Sequence, residues 1–324
     1  MRTTVVIPNY NGIRFLDNCI TKLLEAKSRR DFAILVIDNG STDGSLERAG
    51  EYAGQGVLEL VALPENTGFC GAVNEGIRRC RTEYVLLLNN DTEVTEYFVS
   101  ELENFMEGHP DAFSASARML SLYEPDIIDD CGDLYCALGW AFGLGKGKGT
   151  SYYNRDAGIF AACGGAAIYR KKVFDEIGLF DENHFAYLED IDVGYRALIY
   201  GYHNYYCHTA VVYHAGSGFS GSRYNAFKID LSAKNSVYLI YKNMPFVQLL
   251  LNLPFLAVGF LIKMLYFAKK GFGKTYIRGL GKGVALCFSR RGREQKVVFR
   301  MKHLPCYLRI QLSLWWNTLR RLTG

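Results

Sequence analysis

The chain has 324 residues, 49% of them hydrophobic and 22% charged, which excludes a disordered chain and allows one large catalytic domain with an appendage or two ordinary domains. The net charge of +4 is unevenly spread: residues 263–324 hold 15 Lys or Arg and a single acid, Glu294, leaving 22 basic and 32 acidic residues in the first 262. That split suggests a body and a tail with different jobs, and a basic tail suits nucleic acid or an anionic membrane.

Nine cysteines, an odd number, are scattered without a CxxC pair, and Cys131 and Cys136 have no matching partners for zinc. They read as free thiols of a reducing cytoplasm. A strand-like run follows Met1 at once, with no secretory pattern. Aromatic residues make up 14% of the chain, including 22 Tyr and 20 Phe. That richness suits sugar handling, membrane contact or a Tyr-rich core.

Strand and helix signals alternate from the start. Residues 3–7 predict a strand that stops at a turn-rich Pro8-Asn9-Tyr10-Asn11-Gly12, and Ile13, Leu16, Ile20, Leu23 and Leu24 recur at helical spacing. Residues 32–37 form a continuous apolar run, as in a parallel strand buried on both faces, and end in Asp38-Asn39-Gly40-Ser41-Thr42-Asp43-Gly44. A short helix from about Ser45, a third strand over 57–63, a helix over 74–80 and a fourth strand over 84–88 follow. The order predicts an α/β fold, a doubly wound and mostly parallel sheet. Ligands of such sheets sit beyond the carboxyl ends of the strands, where this sequence places Asn9, Asp38, Asn66 and Asp91.

Residues 111–160 read as less regular, with Gly143-Leu144-Gly145-Lys146-Gly147-Lys148-Gly149 as a mobile loop. A Gly-Gly-containing strand is expected over 159–170, helices near 172–177 and 189–200, and a last strand over 210–213 closed by His214. GxGxxG at 216–221 is a weak dinucleotide signal, since it opens no first βαβ unit.

The tail changes character. Residues 244–262 carry no charge, barely the length of a membrane span, and include Pro245, Pro254, Gln248 and Asn252. A single crossing would put the basic segment on the far side from the body, against the positive-inside rule. An in-plane or re-entrant element is therefore favoured over a span or a buried helix. Residues 309–321 mix aromatics with flanking basics, as an interfacial helix does. The expected division is 1–240 as catalytic domain and 241–324 as a helical membrane-associating region.

Several acids stand where chemistry needs them. Asp38 at a strand end suits a base or ribose contact, against the alternative of helix capping. Asp91 follows a wholly apolar strand and suits Mg2+ or Mn2+ holding a diphosphate, against a turn acid capping the next helix. Glu189-Asp190-Ile191-Asp192 opens a helix, where the dipole alone favours acids, yet three exceed what capping needs. Asp190 is the expected general base, with Glu189 beside it, and Asp192 is expected to pair with Arg196 four residues on.

Together these stretches resemble the inverting family-2 glycosyltransferases of GT-A fold, especially their rhamnosyltransferase-like branch. The likeness covers about residues 3–220 through Val5-Val6-Ile7-Pro8-Asn9-Tyr10-Asn11-Gly12, Val36-Ile37-Asp38-Asn39-Gly40-Ser41-Thr42-Asp43-Gly44-Ser45, Asn66-Thr67-Gly68-Phe69-Cys70-Gly71-Ala72-Val73-Asn74-Glu75-Gly76, Leu86-Leu87-Leu88-Asn89-Asn90-Asp91-Thr92, Gly178-Leu179-Phe180-Asp181-Glu182 and Tyr187-Leu188-Glu189-Asp190-Ile191-Asp192. It implies that Asp38 holds the nucleoside and that Asn89-Asn90-Asp91 replaces an Asp-x-Asp motif, with one charged ligand fewer. It implies Asp91 and His214 as metal ligands, Asp190 as the base, and Gly164-Gly165 as the floor of the donor pocket. Pro8, Asn9, Tyr10, Asn66, Gly68, Asn74, Asn90 and Gly165 are then expected to bind the nucleotide sugar. The implied activity is inverting transfer, with L-rhamnose from dTDP-rhamnose as the leading donor and a UDP-hexose or UDP-galactofuranose as the alternative. The implied acceptor is a lipid-linked (polyprenyl) or polymeric surface glycan. The expected location is the cytoplasmic face of the cell membrane, on an anionic surface, with no nucleic-acid partner. A non-catalytic module binding nucleotide sugar or membrane is the rival from another class.

Overall fold

Alternating faces of buried strands build the core. In β1 (Thr3–Asn9), Val5 and Ile7 point to one side and Val6 to the other, and all three are fully buried. A computed structural model describes residues 1–27, 31–216 and 225–323. The helix α1 (Ile13–Glu25) lays Leu16, Ile20 and Leu23 on the first face. β2 (Ala33–Asp38), α2 (Ser45–Gly54), β3 (Glu59–Ala62), α3 (Gly68–Arg79) and β4 (Tyr84–Leu88) continue the alternation. α3 covers the opposite face with Val73 and Ile77. Each fully buried aliphatic side chain here contributes about 2 kcal/mol.

After β5 (Thr92–Val94) and α4 (Phe98–Gly108), the long strand β6 (Ala112–Ser121) runs through the part expected to be irregular. Short strands follow: β7 (Ile128–Asp130), β8 (Asp133–Tyr135), β9 (Ala141–Gly143), β10 (Ala157–Ile159) and β11 (Ala166–Arg170). The single strand expected over 159–170 is thus two, parted by the turn that carries Gly164. The expected mobile loop at 143–149 is tied down: Gly147 N–H donates to Ile128 O, and Lys148 N–H to Gly145 O.

α5 (Phe174–Ile177), α6 (Glu189–Ile199) and β12 (His203–His214) complete the sheet, whose order is β10-β12-β6-β11-β4-β1-β2-β3. The β4-β1-β2-β3 half is parallel, and β11 runs antiparallel between β4 and β6. The last strand is longer than the expected 210–213, because Asn204–Tyr206 also pairs with β6.

The C-terminal part is helical: α7 (Ala226–Asn243), α8 (Phe246–Lys269), α9 (Gly273–Phe288), α10 (Arg290–Glu294) and α11 (Leu304–Thr323). The expected boundary at 240 falls inside α7. That helix is bound to the sheet domain by buried charge: Lys242 Nζ lies 2.8 Å from Asp181 and 2.9 Å from Asp192, which also pairs with Arg196. The GxGxxG stretch, apart from Gly216, lies outside the described residues.

Candidate active site

The carboxyl ends of β1, β2 and β4 open on one cleft of about 750 Å³. Pro8, Asn9 and Tyr10 line it from the end of β1, and Asn66 and Gly68 from the start of α3. Asn89, Asn90 and Asp91 enter from the end of β4, Gly165 from the turn before β11, and Glu189 and Asp190 from the start of α6.

Two of the expected binding residues lie elsewhere. Asp38 is fully buried beneath the cleft, where its carboxylate accepts hydrogen bonds from Asn9 Nδ2 (2.8 Å) and Ser41 N–H (3.0 Å). Asn9 Oδ1 in turn accepts from Asn90 Nδ2 at 2.7 Å. Asp38 therefore supports the Asn9–Asn90 pair next to Asp91, and its neighbour Asn39 takes the place at the cleft wall. Asn74 is the other exception. Its amide is spent on the backbone of Phe180, at 2.8 and 3.0 Å, and on Glu182. It borders a separate cavity of about 850 Å³.

Strand register brings Asp91 and His214 together. β12 pairs antiparallel with β5, so His214 stands opposite Thr92, and Ala215 N–H donates to Asp91 O. His214 Nε2 lies 3.3 Å from Asp91 Oδ1, while Nδ1 lies 2.7 Å from Asp129 Oδ2. Burial opposes charge on the ring, but the hydrogen bonds to Asp129 and Asp91 outweigh it and push His214 up to about 10. Asp129 is partly buried, yet His214 and Lys146 hold its carboxyl well below the usual range. Lys146 Nζ lies 2.7 Å from Asp129 and also lines the cleft.

This donor set fits a divalent cation. A carboxylate oxygen and an imidazole nitrogen converge, and a bound cation would take the place of the proton that His214 Nε2 now shares with Asp91, while Asp129 holds the second ring nitrogen as carboxylates do for metal-bound histidines. Two protein ligands would leave the remaining positions to diphosphate oxygens and water. Asp129 and Lys146 escaped the sequence reading because no motif marks them.

The expected base lies across the cleft. Glu189 and Asp190 begin α6 directly after Phe185, Tyr187 and Leu188, whose φ angles of 66°, 69° and 68° are left-handed. Three such non-glycine residues within four positions need external support. It comes from α7, where fully buried Asn235 donates to the carbonyls of His184 (3.0 Å), Ala186 (2.8 Å) and Tyr187 (2.7 Å). Asp190 Oδ1 is a buried atom with no hydrogen-bond partner. A Cβ on Gly164 would lie 2.8 Å from that oxygen, so glycine is needed there for close approach.

Burial first, and then the charge of Glu189, push the Asp190 carboxyl well above its ordinary range. Glu189 itself is pushed up to about 7, mainly by burial, with Asp133 and Asp192 adding to it. The Asp133 carboxylate, the Cys163 thiol and Asp190 lie within 4.8 Å of one another; burial keeps the thiol protonated, its pKa pushed well above the ordinary value. Asp192 has turned away, buried against Arg196 at 2.9 Å as its spacing predicted.

The sequence profile named Glycosyl transferase family 2 matches residues 4–178. The chain belongs to glycosyl transferase family 2. Among curated proteins this family-2 chain is 23% identical over 180 residues to glycosyltransferase GlyA of Streptococcus pneumoniae, covering 56% of the chain and 21% of GlyA. It is 26% identical over 115 residues to the poly(ribitol-phosphate) beta-N-acetylglucosaminyltransferase TarS of Staphylococcus aureus, covering 34% and 19%. The aligned stretches span about a fifth to a quarter of the first curated relatives.

Among solved structures, S. aureus TarS 1-349 in complex with UDP-GlcNAc has a TM-score of 0.58 at 16% identity, over 97% of this chain and 89% of that one. The mannosyltransferase PcManGT from Pyrobaculum calidifontis in complex with GDP-Man and Mn2+ gives 0.56 at 17% identity, over 99% and 87%. The fold is the α/β glycosyltransferase type, with a mostly parallel central sheet and helices at the C-terminus.

Proposed function

We propose that the protein is an inverting glycosyltransferase that moves a sugar from a nucleoside diphosphate to an acceptor hydroxyl, with Asp190 as general base. The observation that carries this reading is the buried, unpartnered oxygen of Asp190, a residue that lines the same cleft as the Asp91–His214 pair. A carboxyl raised by burial and a like charge is a stronger base than a free one. Asp190 takes the proton of the acceptor hydroxyl as that oxygen attacks the anomeric carbon. The carbon–oxygen bond to the diphosphate breaks from the opposite face, the nucleoside diphosphate leaves with the electron pair, and the configuration inverts.

Asp91 and His214 would hold a divalent cation, Mg2+ or Mn2+, which would neutralise charge on the leaving diphosphate. Asp129 fixes the His214 ring, and Lys146 adds a cation to the same wall. Asn9, Asn90 and Gly165 shape the donor side. Motif resemblance puts dTDP-rhamnose first as donor, with a UDP-hexose or UDP-galactofuranose next. The neighbours solved with UDP-GlcNAc and GDP-Man, one of them with Mn2+, support the nucleotide-sugar class and the cation. The acceptor is a lipid-linked or polymeric surface glycan, worked on at the cytoplasmic side of an anionic membrane. The basic tail and the apolar α8 support that placement.

The test is a screen of dTDP- and UDP-sugars with and without Mn2+, followed by analysis of the anomeric configuration of the product. The reading expects inverted product from the active enzyme, and nucleotide binding without turnover from Asp190→Asn. Normal turnover by Asp190→Asn would overturn the assignment.

A further inference from the structure

The apolar helix α8 is built inside out. It has 24 residues, and the four that are buried, Gln248, Asn252, Leu256 and Gly259, form one stripe at helical spacing. Two of those four are amides. Its outward side is apolar: Val247 is 67% exposed, Leu251 50%, Val258 51% and Leu265 59%. A helix on a water-soluble domain does the reverse, turning its apolar face inward. α8 is long and apolar enough for a span, yet little of it is buried, unlike the core helix of a soluble protein.

The inward amides bind α8 to the domain. Tyr195 Oη on α6 donates to Gln248 Oε1 at 2.7 Å. Asn252 and Gln311 of α11 exchange two hydrogen bonds, at 2.8 and 2.9 Å. Trp140 Nε1 donates to Gly259 O at 3.1 Å. A Cβ on Gly259 would collide with the Leu138 carbonyl, so the helix backbone lies directly on the 138–140 turn. These anchors, from Gln248 to Gly259, occupy about 16 Å of helix length. The body they join carries the polar cleft, which hydrocarbon cannot accommodate. A span wrapped in lipid is incompatible with anchorage over that length.

Beside α8, α11 carries a second exposed apolar stripe: Leu308 at 59%, Leu312 at 63%, Trp316 at 62% and Leu319 at 56%. Residues 263–324 hold 15 basic side chains against one acid, among them Lys269 at the end of α8 and Arg309, Arg320 and Arg321 on α11. Apolar stripes on helices that also carry cations match an anionic lipid surface.

We infer that α8 lies in the plane of an anionic bilayer surface, half-embedded, with its Val247–Leu265 side among the acyl chains and its Gln248–Asn252 side on the protein. Asp190 and Tyr195 are five residues apart on α6, about 7.5 Å along the helix axis, so the general base stands close to the embedded element. The acceptor class that fits this placement is a glycan anchored in lipid, its hydroxyl presented near the headgroups. The inference rests on the membrane transferase reading and deepens it.

Val247 and Val258 are 11 residues apart, nearly three whole turns, and share one face. Val247→Trp and Val258→Trp are made in a Trp315→Phe/Trp316→Phe background of the full chain, and the signal of the remaining Trp140, measured in that background alone, is subtracted. Each is mixed with phosphatidylethanolamine–phosphatidylglycerol vesicles brominated at one of three acyl depths. In-plane α8 gives both tryptophans their strongest quenching at the same shallow bromine. Depths that differ by about 16 Å mean a span and overturn the inference. Vesicle flotation falls by about tenfold or more on pure phosphatidylcholine if the basic residues act as argued. Failure to float on either vesicle, with concentration-dependent dimers in solution, makes the face a contact between copies and also overturns it. Donor turnover measured on the same samples keeps the two readings apart, since loss of turnover leaves the quenching depths unchanged.

Discussion

Asp129 Oδ2 lies 2.7 Å from His214 Nδ1, and His214 Nε2 is turned to Asp91. The carboxylate fixes which ring nitrogen is turned to Asp91. Asp129→Asn keeps the shape but removes the charge. Loss of such a supporting group weakens metal binding by about 10- to 100-fold. The expected result is a higher Mn2+ requirement for turnover, measured by titrating Mn2+ at saturating donor. An unchanged Mn2+ curve means that Asp129 does not support an ion at His214.

The proposed base has a pH signature. Asp190 is raised above the usual carboxylate range, by burial first and by Glu189 second. A base must be ionised, so kcat/KM falls as pH drops through this raised value. Glu189→Gln removes a like charge, lowers the Asp190 pKa and moves the acid limb to lower pH. A limb that moves up, or stays in place, sinks the coupling between these two carboxyls.

Asn235 makes a prediction about positioning. Its amide holds three carbonyls of the left-handed segment before Glu189. Asn235→Asp is isosteric but sets a carboxylate against those carbonyls. The expected loss is about 2–3 kcal/mol of stability. At a temperature where the fold persists, kcat should fall more than donor affinity, because the base moves and the donor wall does not. Urea unfolding and calorimetric donor binding measure the two effects. Equal losses in kcat and donor affinity would mean general unfolding instead.

The network beneath α6 has its own pH dependence. Burial opposes charge on Asp192, but Lys242 and Arg196 overcome it and hold its carboxyl well below the usual range. A depressed folded value gives stability that is present above the unfolded carboxylate pKa and is lost as pH falls toward the folded one. Asp192→Asn leaves Lys242, 2% exposed, without one of its two carboxylates. The expected cost is about 3–5 kcal/mol near neutral pH, shrinking in acid. A thermal melt of the variant equal to that of the parent at pH 7 contradicts this account.

The sequence alone determined the alternating first half, from β1 through β4, because continuous apolar runs and helical periodicity are local patterns. It also pointed to Asp91, Asp190 and His214, which the fold brings to one cleft, and to the Asp192–Arg196 pair, which is four residues long. It misjudged 111–160 and 143–149, since β6 is rich in Ala and Ser and the loop is ordered by partners far away in the chain. Asp38 and Asn39 are adjacent and both polar, and no periodicity says which one turns to the cleft. Only the tertiary structure decided that. Asp129, Lys146 and Asn235 share the same reason for being missed: each acts on a residue 17 to 85 positions distant, and such partnerships exist only once the sheet has brought its strands together. Composition announced an apolar α8, but which of its faces met protein depended on Tyr195, Gln311 and Trp140, whose approach is set by packing and not by sequence spacing.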